Sequence, residues 1–209
     1  MAFETWLAFF AASWLISLSP GSGAISCMAA GMRHGYVRAL WNIVGLQAGI
    51  LFVLAIVALG LGAIIAASTA LFTAIKWLGA VYLVYLGIQQ WRAPTPAVTS
   101  GEPGNASDGS PGRLMLRGFL VNATNPKGIV FMLAVLPQFI DPHAPQAVQY
   151  LICAGTLLFT DFVVMSGYTG LAAKVLTLLR EPRHVRWVNR GFGGMFVAAG
   201  LALATFRRA

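Results

Sequence analysis

Residues 17–24 read SLSPGSGA and lie inside an otherwise apolar run from Trp6 to Met28. A run of that length suits a bilayer crossing, yet Pro20 removes a helix hydrogen bond and Gly21 loosens the backbone beside it. Both changes are costly in hydrocarbon, where no water replaces the lost bond. An interruption kept at that cost points to a use for the backbone groups it frees.

The surrounding composition supports the membrane reading. Of 209 residues, 58% are hydrophobic and only 10% charged, and the mean hydropathy is +0.75. A soluble domain of this length needs far more polar surface. Before the first run the N-terminus carries Glu4 and no Lys or Arg, so it lacks the basic start of a signal peptide and the run is expected to be retained. The net charge of +8 is placed at the ends of apolar runs, which fits topology and argues against nucleic acid. Cys27 and Cys153 have no metal spacing and no CxxC arrangement, so they read as small apolar filler.

Apolar runs between breakers give six candidate spans: Trp6–Met28, Trp41–Ala67, Leu71–Trp91, Leu114–Leu136, Ala147–Leu171 and Val188–Phe206. A helix needs about 20 apolar residues to cross, so each run is long enough. The Pro/Gly/Ser-rich stretch APTPAVTSGEPGNASDGSPG, residues 93–112, divides the chain. The expected organisation is residues 1–92 as one three-helix unit, 93–113 as a cytoplasmic tether and 114–209 as a second unit. Arg33 and Arg38, then Arg92, Arg113 and Arg117, then Lys174, Arg180, Arg183, Arg186 and Arg190 mark three regions as cytoplasmic. Both termini then face outward, an assignment that Arg207 and Arg208 oppose and that Lys76 leaves untouched if it snorkels. Three spans is an odd number, so the second unit enters the membrane inverted. The predicted fold is all-α and polytopic: six transmembrane helices in two inverted three-helix repeats, with the first and fourth helices broken.

The fourth span reads LMLRGFLVNATNPKGIVFMLAVLP, with Asn125-Pro126 where the first span has Ser19-Pro20. Matching breaks in corresponding spans point to a midplane substrate site; two independent packing kinks are the plainer alternative. A break exposes unpaired N–H groups and about half a positive charge at the restarted helix. Ser22 is expected to cap the first restart, while Asn125 as cap and Pro126 at the first helical position suit the second. The paired ends would favour a carboxylate. Residues expected to line this centre are Ser19, Pro20, Gly21, Ser22 and Gly23 from one break and Asn122, Asn125, Pro126 and Lys127 from the other.

Asp161, in LLFTDFVVM, is an acid inside the fifth span, where acids are expensive and usually face a cavity, substrate or proton path. It is suited to attract an ammonium, to carry a proton, or to pair with Lys127 for packing alone. Lys127 in turn is suited to neutralise a substrate carboxylate, to lock against Asp161, or to snorkel. Gln47, in GLQAG, offers an amide, while Gly45 and Gly49 around it read as close helix packing. Trp77, Tyr82, Tyr85 and Trp91 read as packing or interface residues. His34, His143 and His184 fall in expected loops without ligand spacing, so no metal site and no cofactor is expected.

SLSPGSGA, HGY followed by GLQAG, KWLGAVYLVYLGIQQWRA, VNATNPKGIVF and LPQFI, in that order, resemble the lysine exporter superfamily, and within it the homoserine/threonine exporter branch. The resemblance covers nearly the whole chain from Leu18. It implies a multi-pass bacterial inner-membrane exporter of a small neutral amino acid such as homoserine, its lactone or threonine, driven by proton antiport. Its partners would be that substrate, protons, the lipid bilayer and, as an open alternative, further copies in a homo-oligomer. Many members resemble Pro-Gly-Pro-Asp at the first break; here Ser22 and Gly23 follow Pro20-Gly21, so no acid is carried over there. Asp161 is left as the acid well inside a span, and proton coupling is expected to run through it.

Two rivals remain at this point. One is a membrane thiol–disulfide electron carrier using Cys27 and Cys153, although these lie in spans that are not symmetry partners and neither has a resolving neighbour. The other is a metal-cation exporter, which the lack of clustered intramembrane carboxylates, thiolates or imidazoles argues against.

Overall fold

A computed structural model describes residues 1–67, 69–92, 109–172 and 182–205. Its described residues are helical, with no strand among them. In chain order the helices are α1 (Phe3–Leu18), α2 (Ser22–His34), α3 (Tyr36–Ala67), α4 (Thr69–Arg92) and α5 (Pro111–Ala123). They continue with α6, which starts at Pro126–Val130, then α7 (Gln146–Gly170) and α8 (Pro182–Thr205). Most of the expected tether, together with Lys174, Arg180, Arg207 and Arg208, lies outside the described residues, as do the side chains of Lys76 and His184.

Among the described residues α3 and α7 are each long and apolar enough to cross a membrane. Two bent pairs raise the number to four when each is taken as one span: α1 with α2, bent by 55°, and α5 with α6, bent by 51°. The expected first and fourth spans are therefore the interrupted ones. At 32 residues α3 is about 48 Å long at 1.5 Å per residue, more than the roughly 30 Å hydrocarbon layer. It must tilt or emerge from the bilayer. Helices also run past the apolar runs. His34 closes α2 rather than sitting in a loop, His184 lies within the range of α8, and α8 begins six residues before Val188 and takes Arg183 and Arg186 into its first turns. Helical bonding continues into the polar zone because water does not end a helix; only a breaker or a competing partner does.

Pro137 cannot donate to the residue 133 carbonyl, and α6 changes its bonding around it. The helix widens to a π turn at Phe131–Val135 and tightens to a 3-10 turn at Leu136–Phe139. Several hydroxyls inside the bundle are satisfied within their own helices: Ser13 Oγ donates to the Phe9 carbonyl at 2.8 Å, and Thr169 Oγ1 to Met165 at 2.8 Å. Gln149 is buried and clamps the turn before α7, accepting from Asp141 N at 2.8 Å and donating to Asp141 O at 2.9 Å.

Helices in lipid gain little from hydrophobic association, so small residues and close backbone contact hold them together. Gly45 and Gly49 are buried where α3 meets α5: a Cβ at Gly45 would collide with the Met115 carbonyl, and one at Gly118 with that of Asn42. Fully buried Asn42 ties three helices here, accepting from Ser26 Oγ at 3.2 Å and donating to Leu114 O at 3.2 Å. On the other side α4 packs on α8 through Gly87 and Gly193, where a Cβ at Gly87 would lie 2.6 Å from the Gly193 carbonyl. Outward faces are apolar, with Leu59 83% and Leu151 71% exposed, as lipid contact requires.

One end of the bundle is basic. The start of α5 meets the end of α2, where a Cβ at Gly109 would lie 2.8 Å from His34 Nδ1. Tyr36 reaches Gly170 at the end of α7, and Trp91 Nε1 donates to Arg190 O at 2.9 Å, joining the end of α4 to α8. Gly79 packs on Ala134, and later α4 residues approach Pro126 and Lys127, so Arg92 falls on the same side as Arg33 and Arg113.

Overpacking the α3–α5 seam should destabilise the bundle. Gly118→Val should lower the unfolding midpoint of detergent-solubilised protein, at a cost of about 1–3 kcal/mol. Gly155→Val, where nothing lies within 4 Å of the added Cβ, should leave the midpoint nearly unchanged.

Candidate functional site

At the first break the chain runs out of donors. Ser19 N still bonds to Leu15 O at 3.2 Å, but Pro20 has no N–H to give the Ile16 carbonyl. Gly21, in extended conformation, is the cap residue of α2 and offers no side-chain cap bond. The sequence-based expectation that Ser22 caps α2 is thus corrected: Ser22 is the first helical residue and is exposed. Glycine directly after proline takes the extended cap position, so the first amides of α2 are left without a side-chain acceptor.

The second break follows the expected chemistry. Asn125 Oδ1 accepts from Lys127 N at 3.2 Å, and Pro126 fills the first helical position of α6. Thr124 Oγ1 donates to Leu120 O at 2.7 Å, closing the last turn of α5. The Lys127 side chain then crosses to the first break. Its ammonium donates to Ser19 O at 2.9 Å and Ile16 O at 3.2 Å, and stands 5.3 Å from the Phe196 ring centroid. Lys127 therefore supplies the N–H that Pro20 withholds and sets a positive charge at the negative end of α1. It neither snorkels nor pairs with Asp161: no ion pair within 4.0 Å joins them.

Asp161 Oδ2 instead accepts from Gln47 Nε2 at 2.8 Å. Gln47 Oε1 is buried without a hydrogen-bond partner, and so is the Ser19 hydroxyl. Both breaks and Asp161 line one cavity of about 70 Å³. Ser19, Gly21, Gly23, Asn122, Asn125, Lys127 and Asp161 are brought together on its wall. Pro20, Ser22 and Pro126 are not on it, and Gln47 reaches it through Asp161. Asn122 has its amide donor committed to Leu46 O at 2.9 Å, where it holds α5 to α3.

The apolar wall went unread in the sequence. Leu46, Gly49, Ile50 and Val53 share one face of α3, and Leu157 and Met165 flank Asp161 one turn either way on α7. The four-residue spacing around Asp161 was the signal available for them. Cys27 and Cys153 lie buried in separate apolar clusters rather than side by side. Among the described residues no three His, Cys, Asp or Glu side chains gather as metal ligands.

Residues 14–206 match the LysE type translocator family. The chain belongs to that family. A homoserine/homoserine lactone efflux protein of Salmonella typhimurium is 44% identical over the whole length of both chains. An uncharacterized membrane protein of Vibrio cholerae is 41% identical over 98% of each chain. A leucine efflux protein of Enterobacter sp. is 28% identical over 92% of each. No solved structure matches this LysE type chain.

The Gln47–Asp161 bond is testable by a double-mutant cycle on unfolding midpoints with Gln47→Leu, Asp161→Leu and the pair. A coupling of about 1–3 kcal/mol is expected for a charge-assisted bond. Additive effects would show that the bond contributes nothing.

Proposed function

We propose that this LysE type protein exports a small neutral amino acid, of the homoserine or homoserine lactone type, across the bacterial inner membrane by proton-coupled alternating access. The observation that carries the reading is the single cavity on which two broken helices and one half-buried carboxylate converge. Open amides at the start of α2 suit a carboxylate or carbonyl oxygen, and Asp161 suits an ammonium. Asp161 is the acid on the described wall and Lys127 the cation, a balance that fits a zwitterion better than a dibasic substrate. At about 70 Å³ the cavity is far below the roughly 300–1,000 Å³ typical of drug-sized ligands, which favours a few-atom side chain.

The 55° and 51° bends meeting at one cavity support six spans in two inverted halves around a shared centre. The basic end supports a cytoplasmic placement for Arg33, Arg92 and Arg113, with both termini on the outer side. In the cycle we infer, a proton from outside neutralises Asp161, the ammonium contact weakens, and substrate leaves outward. Gln47 suits both states of the carboxyl. Its N–H₂ serves the ionised form, and its free Oε1 can accept from the protonated form.

An efflux panel of L-homoserine, its lactone, L-threonine and L-leucine should show homoserine or lactone as best substrate in cells carrying the protein. In proteoliposomes with an imposed proton gradient, Asp161→Asn should lose gradient-driven accumulation while retaining substrate exchange. Undiminished gradient-driven transport by that variant would remove Asp161 from the coupling.

A further inference from the structure

Lys127 lines two spaces. One is the central cavity; the other is a space of about 360 Å³ bounded by Tyr82, Gln89, Gln90, Pro126, Lys127 and Phe196. This second space lies between α4 and α8 and leads from the breaks toward the basic end. There Gln90 Nε2 donates to Asn189 Oδ1 at 2.9 Å, two residues before Arg92 and one before Arg190. We propose that it is an access vestibule that receives the free α-carboxylate of the substrate, and that the arriving carboxylate draws the Lys127 ammonium away from the α1 carbonyls. The proposal rests on the transport reading above and adds where substrate first binds and what its binding releases.

The chemistry follows from counting donors. An ammonium has three N–H bonds. Two go to Ile16 O and Ser19 O; among the described residues no further oxygen acceptor and no carboxylate within 4.0 Å engages the group. The ammonium stands over Phe196, which lines the vestibule and not the central cavity. The Tyr82 hydroxyl has no hydrogen-bond partner among the described residues, and Gln89, with its amide donating to Tyr85 at 3.2 Å, is exposed. A positive group with a spare donor, a free hydroxyl and side-chain amides, under the field of Arg92 and Arg190, selects a small anion-bearing solute and repels cations.

A carboxylate is a stronger acceptor than a neutral carbonyl, so it competes well for the ammonium. The exchange has a structural effect that only Pro20 makes possible. With any other residue at position 20 the backbone could take Lys127's place at Ile16 O; with proline, the end of α1 loses its donor when Lys127 turns away. The Lys127 contact that stands where the two spaces adjoin is thus opened by the substrate itself.

The test uses full-length protein with Cys27→Ser and Cys153→Ser, which removes both native thiols, in vesicles of each orientation. Gln89→Cys should react with a membrane-impermeant maleimide from the same face as Gly112→Cys, a position with nothing within 4 Å. Millimolar L-homoserine should slow that reaction, and L-homoserine lactone, which has no free carboxylate, should not. In transport, Tyr82→Phe combined with Gln89→Leu should raise the half-saturating L-homoserine concentration from that face by about three- to tenfold, the size of one or two hydrogen bonds. The maximal L-homoserine rate should stay within about twofold of the parent, since uniform binding alone is lost. Labelling from the opposite face, no labelling, or equal protection by the lactone would overturn the vestibule. If the parent protein carries neither compound, the transport reading fails, and the labelling arm alone decides the vestibule.

Discussion

The arrangement depends on one ammonium placed where a proline has removed an N–H. Pro20 leaves the Ile16 carbonyl without its helical donor, and Lys127 arrives from a residue 111 positions away to supply one. In hydrocarbon an unsatisfied carbonyl is expensive and an unpaired cation more so. Each group answers the other. The two interrupted helices are thereby tied end to end, and the cavity exists because they meet there. Asp161 can then remain bonded to Gln47 instead of serving as the counter-ion of Lys127.

The cavity combines fixed and unsatisfied polar groups. Asn122 has its amide committed to the Leu46 carbonyl, holding α5 to α3, and Asn125 has its side-chain oxygen committed to the cap of α6. The Ser19 hydroxyl, Gln47 Oε1 and the first amides of α2 lack such partners. Buried polar groups are nearly always satisfied, so unsatisfied ones on the wall of a small cavity or beside it mark where a solute can take their place.

Much of this was legible in the sequence because breakers act locally. Pro20-Gly21 and Asn125-Pro126 interrupt a helix whatever surrounds them, and both interruptions appear where they were expected. Gly45 and Gly49 were likewise read as packing residues, and their burial against α5 bears that out. What could not be read was pairing across the fold. Three roles were open for Lys127, and the observed one, capping a distant helix end, involves backbone carbonyls that no residue type announces. The cap of α2 was misassigned to Ser22 because residue type favours serine, whereas the extended backbone after Pro20 belongs to Gly21. The early start of α8 was missed because hydropathy marks the apolar stretch and not the helix that carries it.

The glycine seams have a further consequence for how the molecule is built in the cell. The densest helix pairings, α3 with α5 and α4 with α8, each join a helix before residue 93 to one after residue 110. By contrast α3 and α4, neighbours along the chain, touch only sparsely. During synthesis α3 and α4 therefore leave the ribosome before the helices they pack on most extensively. The two most extensive seams close only once the later segments have been made.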